Sequence, residues 1–79
     1  MHPYQQEILT TALEQRDREI IEYQVNIDNY RRAIAKIADD DADLLPFRAQ
    51  LQELLNSGLL EQRKSQLIRD VIAEQLSGN

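Results

Sequence analysis

From Leu9 to Ile37 one series of positions steps alternately four and three residues without a slip: Leu9, Leu13, Arg16, Ile20, Tyr23, Ile27, Tyr30, Ile34 and Ile37. All but Arg16 are apolar or aromatic. A helix returns to the same side at this interval, so the spacing predicts one long helix with a single apolar ridge, the a/d pattern of a coiled coil. Leu13, Ile20, Ile27 and Ile34 fall at a; Leu9, Arg16, Tyr23, Tyr30 and Ile37 fall at d. Pro3 suits a first helical turn, where its missing N–H has no partner in any case. The helix is expected over about residues 3–38 and on the order of 50 Å long. In water it holds only if other helices shield its ridge.

The rest of the chain supplies the cover. Leu44, Phe47, Leu51 and Leu54 repeat the three-four rhythm and predict a helix over about 43–56. Asn56-Ser57-Gly58 reads as a stop or sharp bend. Leu60, Leu67, Ile68, Val71, Ile72 and Leu76 then form one broad face of a helix over about 59–76, out of phase with the stripe before Gly58. Two glycines and two prolines in 79 residues interrupt little, and strand-forming residues are too scattered to build a sheet. The fold expected is all-α, a single helical domain over residues 1–79. Its long N-terminal helix pairs antiparallel with a broken two-helix return arm, as a helical hairpin or small bundle with a coiled-coil-like seam. The alternative packs the third helix separately as a three-helix bundle.

A chain this short buries only about 60% of its unfolded surface, and without cysteine it has no disulfide or thiolate metal site to brace it. Ile8, Ile21 and Val25 lie off the ridge and need cover of their own. Pairing two hairpins into a four-helix bundle is the simplest solution, so a homodimer is expected, with Ile21 and Val25 as candidate partner-facing residues. Arg16 would face its own copy in a parallel pair, which favours an antiparallel neighbour. Tyrosine at successive d positions is bulky for a two-stranded coil and also points to a wider bundle.

Ala38–Phe47 reads ADDDADLLPF and carries nearly all of the net charge of −5. Asp39, Asp41 and Asp43 match the start of a calcium-binding EF-hand loop, but the position needing glycine is Leu44 and the bidentate acid is Gln50. A turn over 39–43 explains the stretch better: Asp43 or Asp41 can cap the following helix, and Pro46 falls in its first turn. No metal site is expected. Asp39, Asp40, Asp41 and Asp43 remain a candidate acidic patch for a basic partner.

Catalytic residues and cofactors are not expected either. The chain has no cysteine for nucleophilic catalysis. Its one histidine, His2, is read as an inert terminal residue. No phosphate-binding glycine loop or metal-binding E-x-x-H pair occurs. The isoelectric point is near 4.7, and Arg63, Lys64 and Arg69 are mixed with acids, so nucleic acid is an unlikely partner. No apolar run approaches the roughly 20 residues of a membrane span. Absence of cysteine and of a signal-peptide core makes the cytoplasm the expected compartment.

The function expected is non-catalytic protein–protein interaction by a helical homodimer acting as adaptor, assembly factor or inhibitor. A modulator of a host protein, encoded by a phage or mobile element, would be one instance. Two alternatives stand beside it: an acidic inhibitor that occupies a nucleic-acid-binding groove of its target, and a small DNA- or RNA-binding dimer using Arg63, Lys64 and Arg69.

Overall fold

The computed structural model describes residues 2–78. Helix α1 runs Pro3–Ala35 and helix α2 runs Leu45–Leu76, and the two pack antiparallel as a hairpin. The result is a rod, 60 × 14 × 13 Å between Cα atoms. Its radius of gyration is 17.9 Å, against about 12 Å for a compact chain of this length. Among the described residues no helix is long and apolar enough to cross a membrane.

The hairpin stands as the sequence implies, but the return arm is unbroken. Residues 56–58 lie inside α2, and Gly58 has no positive φ, unlike Gly78. Gly58 marks close packing instead. A Cβ built on it would sit 3.4 Å from Ile27 Cγ1, in van der Waals contact, so Gly58 lies directly against the most buried side chain of α1. Asn56, Ser57 and Gly58 thus form one ordinary helical turn.

Neighbours across the hairpin fix the register. Gly58 faces Ile27. Gln62 Nε2 donates to the Ile20 carbonyl and to Gln24 Oε1, Ser65 Oγ to Glu19 Oε2, and Arg69 Nε to Asp17 Oδ1. Retreat along α1 is accompanied by advance along α2, as an antiparallel pair requires. The face that α2 turns inward is Arg48, Leu51, Leu55, Gly58, Gln62, Ser65, Arg69, Ile72 and Leu76, itself an unbroken three-four series. This corrects the expected seam of the return arm. Of Leu44, Phe47, Leu51 and Leu54, only Leu51 is buried, and Leu60, Leu67, Ile68 and Val71 are exposed.

The ends also differ from expectation. His2 caps α1: its Nδ1 accepts the Tyr4 N–H at 3.1 Å, while Gln5 Oε1 accepts the His2 N–H at 3.0 Å. Two otherwise orphaned donors are thereby satisfied, so His2 is not inert. At its other end α1 closes at Ala35 rather than 38, because the Lys36 and Ile37 N–H groups tighten onto Ala33 and Ile34. Helix α2 begins at Leu45, with Leu44 as its cap residue and no side chain capping there. Asp41 does the turning just upstream. Its carbonyl accepts the Leu44 and Leu45 N–H groups, and its Oδ1 also accepts from Leu44.

Candidate functional site

The ridge of α1 lies against α2 throughout. Ile27 is fully buried, while Leu9, Leu13, Ile20, Tyr23, Tyr30, Ile34 and Ile37 are half-buried. With Leu51, Leu55 and Ile72, Ile27 makes up the whole buried apolar core among the described residues.

Toward the open end the seam turns polar. Arg16 Nη1 binds Glu19 Oε2 at 3.0 Å, and the buried Ser65 donates to the same oxygen at 3.2 Å. The register brings Arg69 to the level of Arg16, and Arg69 is held by Asp17 at 2.9 Å and Asp70 at 3.7 Å. The hydrogen bond to Asp17, then the Asp17 charge, hold the Arg69 guanidinium above its ordinary pKa against a smaller opposing effect of burial. Like charges thus share a layer without clashing, each arginine being matched by its own acid. Among the described residues no buried side-chain polar atom lacks a hydrogen-bond partner.

Arg69 is thus engaged by Asp17, and Lys64 is paired with Glu61 at 3.0 Å. Arg63 lies exposed on α2, one position along from Lys64. Within one hairpin these three bases do not form a single free cationic patch.

The acidic turn is likewise partly committed. Asp39 Oδ1 accepts from Arg48 Nη1 at 2.6 Å, and the same nitrogen reaches the Ile37 carbonyl at 3.5 Å, so Arg48 ties the turn to α2. Asp41 shapes the turn, while Asp40 and Asp43 are exposed. Among the described residues no three acidic or histidine side chains gather as a metal cage would require.

What remains outward is apolar. On α1, Tyr4, Ile8, Ile21 and Val25 are exposed, Ile21 and Val25 at 64% and 53%. On α2 the exposed set is larger: Leu44, Phe47, Leu54, Leu60, Leu67, Ile68 and Val71. Phe47, Leu54 and Ile68 each sit one residue ahead of an inward position and share one flank of the hairpin. Val71, Leu60 and Leu67 continue from it around the helix. Sequence periodicity assigned these residues to the seam. The signal for their true place was the second series through Gly58, masked because Arg48, Gln62, Ser65 and Arg69 occupy it.

Comparison with protein-family models, with curated proteins and with solved structures found no match to this chain.

Proposed function

We propose that this chain is a non-catalytic protein–protein interaction module that works as a helical homodimer, offering helix faces to a partner as adaptor, assembly factor or inhibitor. The observation that carries the reading is the inversion of apolar surface: among the described residues four large hydrophobic side chains are buried and eleven are exposed. Monomeric domains rarely leave contiguous apolar stripes in water, and such stripes mark interaction sites. The polar chemistry supports the same reading. The charged side chains near the seam hold helices together, and the single histidine is spent on a helix cap. Ile21 and Val25, outward on α1, are the residues proposed to meet a partner protein.

Sedimentation equilibrium over the micromolar range tests the assembly. The expected mass is twice the chain's 9.2 kDa. A single-chain mass persisting at high micromolar concentration would remove the homodimer from the proposal.

A further inference from the structure

We infer that the second copy docks on the outer stripe of α2, with α2 antiparallel to its counterpart and the two-fold axis passing near Leu60 and Glu61. This rests on the homodimer reading above and adds the surface and the symmetry. Area comes first. The hairpin exposes 6089 Å², whereas a compact chain of its mass exposes about 4,900 Å². The excess, about 1,200 Å² by the same scaling, is larger than the roughly 800 Å² that an interface of standard size removes from each partner, so the hairpin has surface enough for one. A short peptide or a small ligand would leave most of it wet.

The spacing of the stripe selects a second copy. Phe47 and Val71 are equally far from residue 59, and Leu54 and Ile68 equally far from residue 61. Both midpoints fall at the middle of α2, Leu45–Leu76. Isologous contact requires that residue i meet residue j while j meets i. One axis near residue 60 comes close to that demand at both ends: Phe47 and Leu54 of one copy lie about 3 Å along the helix from the levels of Val71 and Ile68 of the other. Full overlap of both helices follows from the same axis. The polar residues between the apolar ends also fit. Glu61, which the axis brings face to face with its own copy, is already neutralised by Lys64 at 3.0 Å, so the two acids meet as paired charges.

The chain contains no cysteine, so single-cysteine variants read the axis directly. Glu61→Cys, close to the axis, is expected to form a disulfide-linked dimer under mild oxidation. Val25→Cys, on the face of α1 turned away from α2, is expected to stay unlinked. Phe47→Asp and Ile68→Asp alter exposed positions, and each is expected to keep its helical circular dichroism while sedimenting as a single chain. If the wild type is dimeric but linkage occurs at Val25→Cys and not at Glu61→Cys, or if both aspartate variants stay dimeric, this surface is wrong and the homodimer survives. If the wild type sediments as a single chain, the surface and the homodimer fall together.

Discussion

The two halves of the hairpin hold together by different means. Near the turn, Ile27, Leu51 and Leu55 supply three of the four buried hydrophobic side chains among the described residues, with Gly58 packed opposite Ile27. Toward the open end, Ile72 is the one buried hydrophobic among the described residues, and the space between Leu13 and Ile20 is filled by Arg16, Asp17, Glu19, Ser65 and Arg69. An apolar ridge attracts any apolar ridge and tolerates sliding by a whole repeat. A layer of paired charges does not, since a slip would strand Arg69 from Asp17 in a half-buried seam. The first half supplies adhesion and the second supplies register. A polar seam residue that fixes alignment at some cost in stability is the best-attested use of such groups.

That division sets the scale of what substitutions should do. The largest effect belongs to Ile27→Asp. Ile27 is fully buried, and a carboxylate there has neither water nor a cationic partner. The expected cost is at least about 3 kcal/mol, enough to unfold a domain of this size or nearly so. Helical circular dichroism should collapse and the thermal transition should fall or vanish. Retention of the wild-type midpoint would mean that the apolar half is not where adhesion resides.

The sequence disclosed α1 more readily than α2, for a physical reason. Every ridge position of α1 except Arg16 is apolar, so hydrophobic periodicity and packing periodicity coincide. In α2 they part. Its inward series passes through Arg48, Gly58, Gln62, Ser65 and Arg69, residues that periodicity counts as outward or as breaks. Leu60 and Leu67 lie at helical spacing too and suggested a seam that the hairpin does not use. Asn56-Ser57-Gly58 has the composition of a stop, yet composition does not reveal that Gly58 continues the helix and packs opposite Ile27. The cap at His2 was hidden similarly, because Ser, Thr, Asp and Asn are the usual capping residues. The candidate surface was legible in amount, as apolar residues in excess of what one seam can bury, but not in place.

Gly58→Ala tests the junction between the halves. Glycine inside a helix costs about 1 kcal/mol relative to alanine, and the new Cβ would meet Ile27 Cγ1 at 3.4 Å, ordinary contact. The variant should therefore be stabilised by up to about 1 kcal/mol, seen as a thermal midpoint higher by roughly 4–8 °C. Were Gly58 a true bend with backbone that only glycine adopts, the same change would lower the midpoint.

Ser65→Ala carries the smallest expected effect and bears most directly on the comparison. Ser65 is buried, and its hydroxyl donates to Glu19 Oε2 at 3.2 Å. Removing it forfeits one hydrogen bond to a charged acceptor, at about 1.5 kcal/mol or less because Glu19 is part-exposed and keeps Arg16. Alanine is the better helix former by a few tenths of a kcal/mol, and it leaves no polar atom behind. The net loss should stay at or below about 1 kcal/mol, a midpoint change of a few degrees in thermal denaturation. A loss approaching that of Ile27→Asp would place adhesion in the polar half and erase the distinction. A small one is what a layer that chooses the register should give, since the choice is between alignments of the folded hairpin and that energy does not appear in unfolding.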